Sequence, residues 1–401
     1  MALKNPHLYH LHISSNSGKN YQKILDKITQ FQASNPKKKI YMMAFGNTSQ
    51  PISESVIDAI KEYTDILSNK EKYKGYEDVV GNLQLRELIC SRYYQPMGVT
   101  LEPSEIFIID GAQSATGNIS ELFSKKSIIA VQNPMYPYFI ESNLMMDKTR
   151  IVTLNCYEKN GFLPEKPQQK VDLMYLCFPN NPTGVTAKTN ELKSFVNYAL
   201  NHQSAIIFDG VYGKFVRTRD VPKSIYQIEG SKKCSIEINS FSKTANFTGV
   251  RLGWCVIPHE LTVGDSSPSE LNQMWKTRYK VKFWGASNLA QAAGIAVLSQ
   301  RGQEESEATI QYYLNNASLL RKTLEYLGLK CFGGIDNPYI WVKGRQGLSS
   351  WEFFDYLLEN TGIVGIPGCF FGTCGEGYLR LSALGHREDV EECVEGLNNS
   401  T

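Results

Sequence analysis

The sequence lacks any long apolar run, and neither sign of charge is in excess. Apolar stretches such as residues 40–45 and 127–131 are far shorter than the roughly 20 residues that a membrane-spanning helix needs. The 42 Lys and Arg side chains nearly balance the 40 Asp and Glu side chains, which leaves a net charge of +2. We therefore expect no membrane span and no nucleic-acid or membrane partner attracted by bulk charge.

Signals for secretion and for metal binding are also missing. Residues 1–10 have neither the apolar segment nor the small-residue cleavage site of a secretory signal. The nine cysteines include no Cys-x-x-Cys pair, and no Cys or carboxylate stands at ligand spacing beside His10 and His12. These absences predict a cytoplasmic protein with reduced thiols and no metal site.

The common phosphate-binding loops of nucleotide enzymes are absent as well. The sequence contains no Gly-x-Gly-x-x-Gly and no Gly-x-x-x-x-Gly-Lys-Ser/Thr motif. This argues against a nicotinamide dinucleotide site and against a P-loop. A phosphorylated cofactor would therefore need a different kind of cradle.

Amphipathic helices alternate with short, fully apolar strands over residues 53–290. Helices are predicted at residues 53–67 and 83–94. Strands are predicted at residues 106–109, 128–131, 173–178, 206–208, 234–239 and 253–257. Strands that are apolar on both faces need a layer of helices on each side, so the pattern predicts a three-layer α/β fold with a mostly parallel central sheet.

The rest of the chain predicts a smaller α+β domain. Residues 304–327 and 350–359 have helical patterns, and residues 339–342 and 378–382 have strand patterns. A chain of 401 residues is too long for one small core. We expect three parts: an N-terminal arm with part of the small domain (1–52), a large cofactor-binding domain (53–289) and a C-terminal small domain (290–401).

Polar motifs follow the predicted strands in order, at the sheet edge where ligands bind in such folds. They are Phe-Pro-Asn-Asn-Pro-Thr-Gly at 178–184, Phe-Asp-Gly-Val-Tyr at 208–212, Ser-Phe-Ser-Lys at 240–243, and Arg251. Lys243 supplies the amine for a Schiff base and for proton transfer. Asp209 supplies a buried carboxylate to keep a pyridine nitrogen protonated, although it could instead be a helix N-cap. Together these motifs predict a pyridoxal 5′-phosphate site.

The remaining groups of such a site are present too. A ring oxygen held as an anion needs donors, and Asn181 and Tyr212 lie at neighbouring strand ends. A phosphate dianion needs hydroxyls, a guanidinium and free amides. The candidates are Ser240, Ser242, Arg251, and the Gly111, Ala112 and Gln113 turn that opens a helix.

With these motifs the sequence resembles the fold-type I pyridoxal-phosphate aminotransferases of class I and II, and most closely the LL-diaminopimelate aminotransferase family. The most specific matches are Asn-Pro-His at 5–7, residues 240–254, Asn-Pro-Tyr at 337–339, Trp-Val-Lys at 341–343 and Arg-Leu-Ser at 380–382. The resemblance implies an amino acid substrate and a homodimer with shared active sites. It also implies that Tyr136 stacks on the cofactor ring and that Tyr76 reaches the phosphate from the partner subunit. Arg380 would clamp the substrate α-carboxylate, assisted by Asn181 and the backbone at Gly46.

The sequence departs from the family at positions that the resemblance assigns to the far end of the substrate. Val79 replaces an acid, Gln113 replaces a lysine and Trp284 replaces an asparagine. Asn47 and Asn246 also replace the usual aspartate and glycine. These changes predict a substrate other than diaminopimelate, although Glu77 or Asp78 could supply the missing acid. A planar cation such as a guanidinium could stack on Trp284 and pair with either acid.

Three functions remain open at this point. The first is transamination between an amino acid and an oxo acid. The second is γ-elimination with cyclisation of a hydroxylated guanidino amino acid, as in capreomycidine and enduracididine synthases. Both need Lys243 and Asp209, so the sequence does not separate them. The third is a non-catalytic homologue that binds an effector.

Overall fold

The computed structural model describes residues 7–8, 11, 16–345 and 347–399. Asn5, Pro6, His10 and His12, which entered the sequence argument, lie outside the described residues. The helices are α1 (Asn16–Ser34), α2 (Glu54–Ser68), α3 (Leu83–Leu88), α4 (Ala112–Asn118), α5 (Tyr138–Met145), α6 (Thr189–His202), α7 (Glu270–Lys282), α8 (Asn288–Val297), α9 (Gln300–Tyr326), α10 (Ser350–Thr361) and α11 (Arg387–Asn399). A π-helical segment, Ile89–Tyr94, continues α3.

A seven-stranded sheet forms the central layer of the larger part of the fold. Its strands are β2 (Ile106–Ile109), β3 (Ile129–Asn133), β4 (Ile151–Asn155), β5 (Leu173–Cys177), β6 (Ala205–Asp209), β7 (Ser235–Ser240) and β8 (Gly253–Val256). They lie in the order β2-β8-β7-β6-β5-β3-β4. Strand β8 runs in the opposite direction to the other six strands. The predicted mostly parallel sheet is confirmed.

Both faces of this sheet are covered by apolar packing. In β2, Ile106 and Ile108 belong to one buried cluster, whereas Phe107 and Ile109 belong to another. The first cluster includes side chains of α2, α6 and α8, and the second includes side chains of α4, α5 and α7. Because successive side chains of a strand point to opposite faces, this arrangement is the three-layer α/β fold.

The other strands lie in two smaller sheets. They are β1 (Tyr41–Met42), β9 (Cys331–Gly333), β10 (Tyr339–Lys343), β11 (Ile363–Val364), β12 (Ile366–Pro367) and β13 (Tyr378–Ser382). Strands β12-β13-β10-β9 form an antiparallel sheet, and β1 pairs in parallel with β11. Their cluster includes Ile24 and Phe31 of α1. On this basis we propose that the N-terminal segment packs with the C-terminal small domain, with a domain boundary at 52/53. The predicted division at 289/290 falls inside α8, whose Ala290 and Ala293 pack in the cluster of the seven-stranded sheet, so we place the second boundary after that helix.

The predicted boundaries were wrong by a few residues in several elements. The helix predicted at 83–94 changes from α to π at Ile89, and α9 begins at Gln300 rather than at residue 304. Strand β4 was not predicted, because it lies at the sheet edge and is only partly buried. Within the described ranges, we find no helix with both the length and the apolar character needed to cross a membrane.

Candidate active site

The carboxyl ends of β3, β5, β6 and β7 meet at a cavity of about 350 Å³. Parallel strands present these ends at one edge, so residues far apart in sequence become neighbours. The cavity brings together most of the site residues predicted from sequence: Gly46, Ala112, Gln113, Tyr136, Asn181, Asp209, Tyr212, Ser240, Ser242, Lys243, Arg251 and Arg380.

Lys243 follows β7 and points into this cavity. Its Nζ donates a hydrogen bond to the carbonyl of Gly46. Desolvation, together with the positive charges of Arg380 and Arg251, lowers the pKa of Lys243 to about 7. A large share of the amine is therefore unprotonated near neutral pH, which is the nucleophilic form.

Asp209 is the last residue of β6 and faces the same cavity. Its Oδ2 accepts a hydrogen bond from the Tyr175 hydroxyl at 2.6 Å, and its Oδ1 accepts one from the Val211 amide at 3.3 Å. Desolvation raises the pKa of Asp209, and the two hydrogen bonds oppose that rise. The helix-cap interpretation is wrong, because the next helical turn starts at Gly213 and has Tyr212 as its N-cap.

A polar cradle occupies one end of the cavity. The Ser240 and Ser242 hydroxyls are 2.9 Å apart, and Arg251 Nη1 lies 3.5 Å from the Ser242 hydroxyl. The backbone of Arg251 has φ +64, a left-handed conformation that is uncommon for non-glycine residues. Gly111 has φ +101, a conformation that residues with side chains rarely adopt, and a Cβ there would also displace Arg251 Nη2, 2.2 Å away. Two hydroxyls beside a guanidinium fit a phosphate group.

Arg380, on β13 of the four-stranded sheet, forms the opposite end. Its Nη1 donates to Asn181 Oδ1 at 2.7 Å, and its Nη2 donates to the Ala44 carbonyl at 2.6 Å. The guanidinium carbon lies 4.3 Å from the Tyr339 ring centroid and 4.9 Å from that of Phe371. Arg380 is only 6% exposed, and its Nε has no hydrogen-bond partner among the described residues. A buried cation with an unused N–H fits a carboxylate ligand.

Aromatic side chains line the space between the two ends. The Tyr212 hydroxyl donates to the Tyr339 hydroxyl at 3.1 Å, and the Tyr136 ring packs edge-on against Tyr138 with centroids 4.9 Å apart. Desolvation raises the pKa of Tyr136 and of Tyr212, which keeps both phenols protonated at neutral pH. A Cβ at Gly46 would lie 2.5 Å from the Tyr339 hydroxyl, so any side chain at this position would displace Tyr339.

Four residues that the sequence placed in the site lie elsewhere on this chain. Tyr76, Glu77, Asp78 and Trp284 line a separate groove of about 620 Å³. Tyr76 is 87% exposed and Trp284 is 51% exposed, and their ring centroids are 6.0 Å apart. Asp78 pairs with Arg86 at 3.1 Å. Within one chain, these residues do not reach the cavity.

The other departures from the family have local explanations. Asn246 has φ +59, a conformation that glycine adopts freely and asparagine tolerates. Its side chain donates to the Pro51 carbonyl and accepts from the Tyr313 hydroxyl. Val79 packs against the apolar cluster of β2 and α7 and does not line the groove that holds Glu77.

Sequence reasoning missed several residues of the cavity. Tyr21, Tyr138, Tyr339 and Phe371 line it, and Tyr175, which lies behind the lining, donates a hydrogen bond to Asp209. The one available signal for Tyr175 was a hydroxyl in an otherwise apolar strand. Tyr21 belongs to α1, which no strand-end rule connects to this edge of the sheet.

Comparison with known proteins agrees with this geometry. Residues 9–397 match the family model described as aminotransferase class I and II. The chain is 41% identical to an LL-diaminopimelate aminotransferase of Bacteroides thetaiotaomicron over 394 residues, which cover 94% of this chain and 96% of that protein. It superposes on L,L-diaminopimelate aminotransferase from Chlamydomonas reinhardtii with a TM-score of 0.88 and 36% identity, covering 94% and 95% of the two chains. It superposes on substrate-bound BacF from Bacillus subtilis with a TM-score of 0.80 and 26% identity, covering 94% of each. This chain is therefore a member of the class I and II aminotransferase family, the pyridoxal-phosphate-dependent enzymes of fold type I.

Proposed function

We propose that this aminotransferase attaches pyridoxal 5′-phosphate through Lys243 and transfers an amino group from an amino acid whose far end differs from that of diaminopimelate. The observation that carries the proposal is the convergence of three groups in one cavity: an amine with a lowered pKa (Lys243), a buried carboxylate (Asp209) and a buried guanidinium with an unused N–H (Arg380). A non-catalytic binding homologue would not need this set.

The residues present fit this cofactor. When bound, pyridoxal phosphate supplies an aldehyde that condenses with amines and a protonated ring that withdraws electrons. Ser240, Ser242 and Arg251 would hold its phosphate, and Asp209 would keep the proton on the ring nitrogen. Asn181 would donate to the ring oxygen, as would Tyr212 once its hydroxyl turns away from Tyr339. Tyr136 would stack on the ring, and the backbone amides of Ala112 and Gln113 would lie beside the phosphate.

The residues of the chain then position and move the substrate proton. Arg380 binds the α-carboxylate, which turns the Cα–H bond of the substrate toward Lys243. In its neutral form, Lys243 Nζ accepts the proton from Cα and returns it on the cofactor side. The aromatic walls and the buried Arg380 exclude water from this path, which protects the reacting carbon from side reactions. The donor amino acid would leave as its oxo acid, and the amino group would pass by way of the cofactor to an acceptor oxo acid.

We also propose that the chain works as a homodimer in which the groove of one subunit faces the cavity of the other. Tyr76, Glu77, Asp78 and Trp284 would then complete the partner's site. The strong exposure of Tyr76 and Trp284 supports this arrangement, because large aromatic side chains left in water on a single chain commonly mark an interface.

The proposed substrate differs at its far end from the diaminopimelate for which the relatives are named. Gln113 lines the cavity where the family resemblance implies a lysine, and it cannot form an ion pair with a second carboxylate. Asp78 is already paired with Arg86, whereas Glu77 accepts a hydrogen bond from Asn82 through one oxygen at 3.2 Å and from no other side chain in the described part of the chain. Glu77 beside Trp284 therefore favours a planar cationic end, such as a guanidinium, over the amino and carboxylate pair of diaminopimelate.

LL-Diaminopimelate is expected to be a poor substrate. Charged hydrogen bonds contribute about 1.5–3 kcal/mol each, so losing two lowers kcat/KM roughly 10²- to 10⁴-fold. The measurement is kcat/KM for diaminopimelate against guanidino and other amino acids. Gln113→Lys is expected to raise the value for diaminopimelate, with Gln113→Met as the control of similar length and no charge. If the wild-type enzyme prefers diaminopimelate, the proposed change of substrate is refuted, but the proposed transaminase reaction is not.

Withholding the oxo acid acceptor tests the reaction type. A transaminase is expected to convert its cofactor once, to stoichiometric pyridoxamine phosphate, and then stop. Absorbance spectra and chromatography of the released cofactor measure this conversion. Continued turnover of a γ-hydroxylated guanidino amino acid without pyridoxamine phosphate would instead establish elimination and cyclisation.

A further inference from the structure

Tyr175 contacts the proposed ring-nitrogen partner, and neither the sequence motifs nor the family resemblance assigned it a role. It lies in the middle of β5, a strand in which every residue is buried. Its hydroxyl donates to Asp209 Oδ2 at 2.6 Å, the shorter of the two hydrogen bonds that the Asp209 carboxylate accepts from described residues.

The sheet register fixes this contact. Tyr175 is paired with Ile207 and Cys177 with Asp209 across the parallel strands β5 and β6. Side chains two residues apart in a strand share a face, so Tyr175 is the diagonal neighbour of Asp209 on the same face of the sheet. Its ring stacks on Phe139 with centroids 4.1 Å apart and planes 23° apart. The phenol is therefore held in one orientation by packing as well as by its hydrogen bond.

Tyr175 is suited to donate rather than to exchange a proton. Desolvation and the adjacent Asp209 raise its pKa well above the ordinary value, so the phenol remains protonated. Asp209, in contrast, faces the cavity with no cationic side chain bonded to it among the described residues. A donated hydrogen bond disperses the carboxylate charge and lowers its affinity for a proton. The proton between Asp209 and a ring nitrogen then resides on the nitrogen.

We propose that Tyr175 is a positioning residue that holds Asp209 ionised and oriented toward the cofactor ring nitrogen, and so maintains the electron-withdrawing form of the cofactor. The inference rests on the proposed role of Asp209. Tyr175 itself touches neither substrate nor cofactor in this arrangement, and it acts through the carboxylate alone.

The test is Tyr175→Phe, examined in the resting holoenzyme with ¹⁵N-labelled pyridoxal phosphate. We expect the ring ¹⁵N resonance to move from the protonated toward the unprotonated position and the affinity for the cofactor to fall. A lost hydrogen bond to a charged group corresponds to a decrease in kcat of roughly 10- to 100-fold. KM for the amino acid should stay within a few-fold, because Arg380 is unchanged.

The matched control is Tyr279→Phe. Tyr279 is equally buried, and its hydroxyl donates to the Ile108 carbonyl of the same sheet at 3.2 Å, outside the cavity. It should keep the wild-type ¹⁵N resonance and kcat. Equal losses in both variants would overturn the proposal, as would a protonated nitrogen in Tyr175→Phe. If Tyr175→Phe does not fold, Tyr175→Met removes the same donor with a side chain that adapts to the space, and the same readout decides.

Asp209→Asn in the same spectrum separates this inference from the function on which it rests. A shifted nitrogen in Asp209→Asn with an unshifted one in Tyr175→Phe refutes the role of Tyr175 alone. An unshifted nitrogen in Asp209→Asn refutes the assignment of Asp209 and, with it, this part of the proposed function.

Discussion

Lys243→Ala is expected to abolish turnover while the fold persists. The variant loses the amine that bonds the cofactor and the base that moves the substrate proton. General acid–base catalysis alone contributes roughly 10²- to 10⁴-fold, and the lost covalent attachment adds to this, so activity should fall by at least about 10⁴-fold. Ser240, Ser242 and Arg251 remain, so the variant should still bind cofactor weakly.

Steady-state rates and the cofactor absorbance of the purified protein check this expectation. Lys193→Ala is a suitable control, because Lys193 is an exposed residue of α6 outside the cavity. Its rate and yellow colour should match those of the wild type. Turnover by Lys243→Ala close to the wild-type rate would remove the assignment of Lys243 and the mechanism built on it.

Asp209→Asn should lower kcat by roughly 10²- to 10⁴-fold with little change in thermal stability. The amide keeps the size of the carboxylate but carries no charge, so it does not hold a proton on the ring nitrogen. The electron sink weakens while the packing around β6 is retained. Rates within a few-fold of the wild type would contradict the role of Asp209.

Glu237→Gln provides a carboxylate control on the neighbouring strand. Glu237 is buried on the opposite face of the sheet, where it accepts hydrogen bonds from Tyr94 at 2.8 Å and from Ser224 at 2.5 Å. Desolvation raises the pKa of Glu237 to about 7. Its substitution should reduce the melting temperature and leave kcat per folded chain within a few-fold. The two variants thus separate a catalytic carboxylate from a structural one.

The sequence predicted best what depends on strand ends. Asp209, Ser240 and Lys243 were predicted to lie at one edge of the sheet because each ends or follows a short apolar run. The structure brings these three side chains together in one cavity. Asn181 was found in the same way. These signals are local, and the parallel sheet converts them into a common edge.

Contacts made across the chain could not be predicted in this way. The carbonyl of Ala44 that receives Arg380 Nη2 carries no side-chain signal, and the phenol of Tyr175 acquires meaning only through the register of β5 against β6. Strand β4 was missed because an edge strand keeps partly polar surroundings and loses the continuous apolar pattern. The left-handed backbone conformation of Asn246 likewise could not be predicted from the sequence.

The cavity lies between two sheets, so on the proposed function substrate binding contributes to the stability of the folded chain. Arg380 belongs to the four-stranded sheet, whereas Lys243 follows a strand of the seven-stranded sheet. An amino acid held as proposed, by Arg380 at its carboxylate and beside Lys243 at its amine, would bridge the two sheets. Ligand present at 100 times its dissociation constant stabilises a folded protein by about 2.7 kcal/mol. An excess of the amino acid is therefore expected to raise the melting temperature of the holoenzyme, because the bound ligand holds the two sheets together.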